Sequence, residues 1–207
     1  QDLAAALPAR LLGAGEGRSV LDVGAAPGGK TMQLSAAGWA VTALDISERR
    51  LQRLSENLER THLPAETLRS DARALPEGRQ WDAVLIDAPC SATGIFRRHP
   101  DVLHRIGAGD ILDRAMVQAE LLDAAALAVR SGGTMVYAVC SLEREEGEDA
   151  VLGFLDRNIA WQSDHVRPSE LPIGIAPSGE GWVRTAPPML EGAGGVDGFF
   201  MARLVKR

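Results

Sequence analysis

The sequence predicts an α/β fold: a mostly parallel sheet with helices on both faces. Two observations carry that expectation. Short apolar runs of strand length alternate with stretches of helical periodicity along the 207 residues. The better-defined runs also end on chemically useful residues (Asp45, Asp87 and Cys140), as strands do when their carboxyl ends border a ligand site. No break in composition divides the chain, so a single domain over 1–207 is expected.

Residues 1–18 read as a helix and a turn, with Leu3, Leu7 and Leu11 on one face and Gly13, Gly15 and Gly17 ending it. Residues 19–23 form a first strand, which runs into Gly24-Ala25-Ala26-Pro27-Gly28-Gly29-Lys30. A helix is expected from Thr31, and a second strand from Trp39 to Leu44, ended by Asp45. Ser47 suits a helix N-cap, and Leu51, Leu54 and Leu58 mark that helix's buried face. Residues 67–69 are a weak third strand, ending near Asp71. Residues 81–86 are a strong fourth, ended by Asp87. A long loop carries Cys90 to about Gly109. The helical stretch 110–130 is expected to face inward through Met116, Leu121, Leu122, Ala125 and Val129. Residues 134–139 form a fifth strand ending at Cys140. Ser141 is expected to cap a helix running to about Asn158, and residues 198–205 read as a last strand.

With 45% hydrophobic and 24% charged residues, disorder and disulfide-scaffold classes are disfavoured. No run reaches the 18 or so apolar residues of a membrane span, and no secretory signal is visible. A cytoplasmic, monomeric protein without a membrane partner is the expectation. His62, His99, His104 and His165 show no metal-ligand spacing, so no metal is expected. The net charge of −6 argues, by balance alone, against a partner gripped by its phosphates. That balance is uneven, however. Residues 143–149 hold five acids and one arginine, so −4 of the −6 lies there.

The turn 24–31 fits the phosphate-loop pattern G-x-x-x-x-G-K-T, so a nucleotide triphosphatase is a rival reading. Against it, Asp45 follows at the distance where an acid binds ribose hydroxyls. The fourth strand also ends in Asp87-Ala88-Pro89-Cys90. An amino-methylating enzyme is disfavoured because Cys90 stands where such enzymes place an aromatic residue after this strand. Both cysteines, Cys90 and Cys140, fall just past strand ends on the edge that carries the glycine turn.

The stretches DVGAAPGGKT, LDIS, SDAR, LIDAPCSATGIFRRHPD, GGTMVYAVCS and DGFFMARL resemble the Nol1/Nop2/Sun family of RNA cytosine-C5 methyltransferases, most of all its bacterial Sun branch. The resemblance spans nearly the whole chain. It implies a Rossmann-like class I methyltransferase fold with a seven-stranded sheet, S-adenosylmethionine as cofactor, and RNA as partner, with 16S ribosomal RNA ahead of transfer RNA. A non-catalytic cofactor- or RNA-binding module remains an alternative. By the same resemblance Gly24, Ala25, Ala26, Pro27, Gly28, Gly29 and Lys30 wrap the cofactor's amino-acid part. Asp45 takes its ribose, Asp71 and Ala72 flank its adenine, and Asp87 lies between cofactor and base. Cys140 is the nucleophile and Cys90 assists product release. Gly24 stands where the family often has Cys. The family's separate amino-terminal RNA-binding domain is absent from these residues, so weak, salt-sensitive RNA binding is expected of them alone.

Four expectations concern physical detail. Lys30 is a cofactor contact or a helper near the base. Arg97 and Arg98, just beyond Cys90, are either a solvated loop or phosphate contacts. A helix starting at Ser141 places a positive helix end beside Cys140 and favours its thiolate. Glu143, Glu145, Glu146, Glu148 and Asp149 are expected to serve that helix's first turns.

Overall fold

A computed structural model describes residues 1–75 and 78–207. The elements run α1 (Leu3–Arg10), β1 (Ser19–Val23), α2 (Gly29–Ala36), β2 (Ala40–Asp45), α3 (Glu48–Thr61), β3 (Glu66–Arg69) and β4 (Trp81–Asp87). Then come α4 (Val102–Arg105), α5 (Ala108–Ala128), β5 (Val129–Val139), α6 (Glu148–Arg157), β6 (Trp161–Ser163), β7 (Val183–Thr185) and β8 (Phe199–Lys206). They build one sheet in the order β3-β2-β1-β4-β5-β8-β6, with β7 paired onto β8. The path therefore holds the seven strands the resemblance implies, and β7 adds an eighth. Strands β1 to β5 pair in parallel, whereas β8 runs antiparallel to β5, β6 and β7.

The parallel strands alternate their side chains between two buried layers. Val20, Val41, Ala83, Leu85, Val136 and Ala138 pack with Leu7 of α1 and Leu34 of α2. Leu21, Leu44, Val84, Ile86, Met135 and Tyr137 face the other way, onto Leu121, Leu122 and Ala125 of α5 and Phe154 of α6. β1, β2, β4 and the second half of β5 are largely apolar on both sides because both faces of the sheet there are covered by helices. Ser47 caps α3 by accepting from the backbone N–H of Arg50, and Leu51, Leu54 and Leu58 are buried as the spacing predicts. Trp161 and Trp182 are both buried core residues.

Four expectations need correction. The first helix ends at Arg10, and Leu3 is exposed rather than core. Met116 is 62% exposed. The inward stripe of α5 begins at Gln118, and Met116 sits two positions earlier, about 200° around the helix. Val129 is buried, but as the first residue of β5, which starts five residues before the expected strand. Ser141 caps no helix, because α6 begins only at Glu148. Residues 141–147 form a turn instead, and this change reshapes the site. β6 and β7, three residues each, carried too little periodicity to read from sequence.

Among the described residues no helix is long and apolar enough to cross a membrane. Phe154 is fully buried and stacks edge-on against Trp161, 5.7 Å between ring centroids. Phe154→Ala is expected to cost about 3–5 kcal/mol of stability, read as a lower denaturant midpoint at unchanged slope.

Candidate active site

The topology brings the motif residues to one edge. β1 to β5 are parallel, so the glycine turn, Asp45, Asp71, Asp87 and Cys140 all lie at carboxyl ends. The strand order reverses between β1 and β4, and that is where ligands enter open α/β sheets. Gly24 and Asp87 meet at this point. Gly24 has φ +75°, and a Cβ there would lie 2.5 Å from the Asp87 carbonyl oxygen. In this chain the backbone has closed onto the glycine. Gly28, at φ +106°, turns the chain into α2, and the Ala26–Pro27 peptide is cis.

Two pairs form the centre. Lys30 Nζ lies 2.7 Å from Asp87 Oδ2, with the lysine side chain 10% exposed and the aspartate 32%. The Lys30 ammonium also sits over the Phe199 ring. Cys90 Sγ and Cys140 Sγ are 3.4 Å apart, both as free thiols. The hydrogen bond between them splits their acidities. The hydrogen bond with Cys90 lowers the pKa of Cys140, and nearby Lys30 lowers it further, against burial and the charge of Asp87. The same hydrogen bond, and burial, push the Cys90 thiol well above its usual range. Of the two sulfurs, Cys140 is the more acidic and Cys90 the less. The helix end expected beside Cys140 is not there, so the neighbouring thiol and Lys30 supply the stabilisation instead.

Of the acids in 143–149, only Glu148 and Asp149 fall in the first turn of α6. Glu146 turns inward and is fully buried. Its carboxylate accepts from the Ser91 backbone N–H at 2.8 Å, the Ser91 hydroxyl, the Ser141 hydroxyl at 2.5 Å and the Gln118 side-chain amide at 3.1 Å. Gln118 donates also to the Pro89 carbonyl, and the Tyr137 hydroxyl donates to the Glu146 carbonyl. Ser91 follows Cys90 and Ser141 follows Cys140. Sequence reasoning missed this residue because it sits in an acidic run. The repeated Cys-Ser pair was the available signal, since two buried hydroxyls each need an acceptor.

The other predicted residues are placed less centrally. Asp45 is 2% exposed, accepts from the Ser47 and Ala26 backbone N–H groups, and pairs with Arg50 at 3.3 Å. Asp71 pairs with Arg73, which draws its pKa down, and Ala72 beside it is buried. Arg97 and Arg98 are tied into the fold. Arg97 donates to Asp2 and to the Gly194 carbonyl, and Arg98 to the buried Asp197. Their side chains keep 33% and 48% exposure. Asp22, within β1, is wholly buried with Oδ2 accepting from Thr31 at 2.6 Å and, among the described residues, no partner on Oδ1. A groove of about 750 Å³ opens at the opposite, amino-terminal edge, lined by Ser19, Trp39, Glu66 and Trp81, and touches none of these motif residues. Among the described residues no cluster of three or more His, Cys, Asp or Glu could hold a metal ion.

The profile of the family described as "16S rRNA methyltransferase RsmB/F" matches residues 9–205. The chain belongs to that family. It is 40% identical to the ribosomal RNA small subunit methyltransferase B of Vibrio vulnificus, covering 100% of this chain and 46% of that protein. It is 41% identical to the protein of the same name from Xylella fastidiosa, covering 100% and 48%. The chain thus spans about half the length of these curated relatives. The crystal structure of NSun6 from Pyrococcus horikoshii with SFG superposes with a TM-score of 0.87 at 30% identity, covering 100% of this chain and 52% of that one. Within this RsmB/F-family chain the mostly parallel sheet is the methyltransferase sheet the resemblance implied.

Two outcomes test this geometry. Gly94 donates to the Cys140 carbonyl at 3.0 Å and accepts from Gly198 at 2.8 Å. A Cβ on Gly94 would lie 2.0 Å from the Gly198 carbonyl oxygen, so Gly94→Ala is expected to cost about 3 kcal/mol or more in a denaturant titration. Burial raises the pKa of Asp22 from 3.8 to about 7. An acid whose folded pKa is raised stabilises the fold fully below its unfolded pKa and loses that stability as pH rises through the folded value. Asp22→Asn should therefore gain stability relative to the parent between pH 3.8 and about 7 and hold a constant difference above that.

Proposed function

We propose that this chain methylates C5 of a cytosine in RNA, 16S ribosomal RNA first, using S-adenosylmethionine and a covalent bond from Cys140 to C6 of the base. The observation that carries the reading is the thiol pair: Cys140 lowered and Cys90 raised, 3.4 Å apart, beside a Lys30–Asp87 pair. The relatives' printed name, ribosomal RNA small subunit methyltransferase B, supports the substrate class.

The cofactor edge suits this ligand. The residues from Gly24 to Lys30 form a bare turn at a helix start, whose backbone N–H groups favour a carboxylate. The carboxylates of Asp45, Asp71 and Asp87 favour hydroxyls and positive centres. We assign Asp45 to the ribose, with the hydrogen-bond capacity its present partners leave, and Asp71 with Ala72 to the adenine side. The bound cofactor supplies an electrophilic methyl group on a sulfonium.

Cytosine C5 is a poor nucleophile. Attack of the Cys140 thiolate forms a C6–S bond and moves the ring's electron pair toward C5, N3 and O2, so that C5 becomes enamine-like. Asp87, 32% exposed, is placed to accept from the base's exocyclic amine, and Lys30 holds that carboxylate in position. After methylation, a water molecule at the open edge takes the C5 proton, and the released electron pair restores C5=C6 and expels the Cys140 thiolate. Cys90, 3.4 Å away, is the group placed to assist that departure. The target base must be unstacked to reach these sulfurs. The exposed edges of Arg97 and Arg98 are the phosphate contacts in this reading, as parts of a rim already ordered by Asp197.

The test is a 5-methylcytosine map of ribosomal and transfer RNA from cells carrying each variant. Cys140→Ser should abolish one methylated position in the small-subunit RNA while cofactor affinity is retained. Cys90→Ala should accumulate a protein–RNA adduct instead. Undiminished methylation by Cys140→Ser would overturn the covalent assignment. Loss of a transfer-RNA position alone would move the substrate.

A further inference from the structure

We propose that Glu146 is the positioning residue for the thiol pair: by holding the serine that follows each cysteine, it sets the Cys90–Cys140 spacing. This deepens the reading above and rests on it for its catalytic meaning, but not for its structural content.

The two cysteines come from turns 50 residues apart in sequence, after β4 and after β5. Neighbouring parallel strands fix the origins of those turns, but not the paths the turns take. Direct links between the turns fall into two groups. One is backbone: Gly94 donates to the Cys140 carbonyl. The other is the shell around Glu146. One carboxylate oxygen takes the hydroxyls of both Ser91 and Ser141, which also lie 3.1 Å from each other. Its other oxygen takes the Ser91 N–H and the Gln118 amide. Thr93 completes the shell, lying 3.3 Å from the Ser141 hydroxyl and accepting from the Leu142 N–H. A fully buried carboxylate is tolerated only where donors converge on it, and four do here. If either turn shifts, one of those donors is lost, so the carboxylate resists changes in the sulfur spacing.

The groups facing the sulfurs are few. Cys140 is faced by Cys90, Asp87 at the end of β4, Lys30 of α2 and, more remotely, Arg98. Cys90 is faced by Cys140, Glu146 and Tyr137 of β5. Neutralising Glu146 has two effects of opposite sign on Cys140. Removing a negative charge alone would draw the thiol's pKa down. Losing the alignment with Cys90 removes the hydrogen bond that stabilises the thiolate, and drives it up.

The experiment measures the pH dependence of Cys140 alkylation by iodoacetamide in the intact protein without RNA or cofactor, read by mass spectrometry of its peptide. Glu146→Gln should raise the apparent pKa by about one pH unit. With RNA and cofactor it should lower kcat on the order of 10²-fold while leaving KM for S-adenosylmethionine unchanged. In a Cys90→Ala background the upward shift should vanish, because it acts through the second thiol. An unchanged or lowered pKa, or an upward shift that persists without Cys90, would overturn the proposal. Ser91→Ala should move the pKa in the same direction by less, and it carries the test alone if Glu146→Gln does not fold. Should the titrations behave as stated while Cys140→Ser still methylates RNA, the clamp stands and the nucleophile assignment falls.

Discussion

A single buried carboxylate links the two halves of this site. Glu146 draws on α5 through Gln118, on the β4 turn through Ser91 and on the β5 turn through Ser141. Its own backbone is held by Tyr137. Two sulfurs from separate turns are held at 3.4 Å only if something fixes both chains, and the parallel strands alone fix only where those chains begin. Glycine does the complementary work. Gly94 and Gly198 let two backbones touch where any side chain would separate them. The sulfur pair therefore depends on hydrogen bonds on one side and on the absence of side chains on the other.

The electrostatics of the edge follow from this arrangement. Carboxylates at consecutive strand ends would oppose a thiolate if all were left unpaired. Each has a cation against it: Arg50 on Asp45, Arg73 on Asp71, Lys30 on Asp87. Lys30 has the larger part, because it both neutralises Asp87 and lies close enough to Cys140 to favour its ionised form. The half-exposed Arg73–Asp71 pair contributes little to stability, whereas the Lys30–Asp87 and Arg50–Asp45 pairs, each with a buried end, set the local charge of the edge. The overall −6 says little about the site, since it is weighted by the acids of residues 143–149.

Much of this was legible in the residues. Apolar runs in β1, β2, β4 and β5 are long enough to mark strands, and Ser47 with its three leucines fixed α3 nearly to the residue. The glycine turn, the strand-end acids and both cysteines were all legible as a set on one edge. The sequence could not show what residues 141–147 do, because an acidic run after a serine reads equally well as a capped helix. Only the three-dimensional fit reveals that Glu146 alone of that run meets four donors. The commitments of Arg97 and Arg98 were hidden for a similar reason, since their partners Asp2 and Asp197 lie more than 90 residues away.

The account stands or falls on which sulfur meets the base. Small-subunit ribosomal RNA carrying 5-fluorocytosine gives the most direct answer, since fluorine at C5 blocks the proton loss that would release the enzyme. Incubation with protein and S-adenosylmethionine, followed by nuclease digestion and peptide mass spectrometry, should find one nucleotide bonded to the peptide containing Cys140. A nucleotide on the Cys90 peptide, or no bond at all while unsubstituted RNA is methylated under the same conditions, would contradict it.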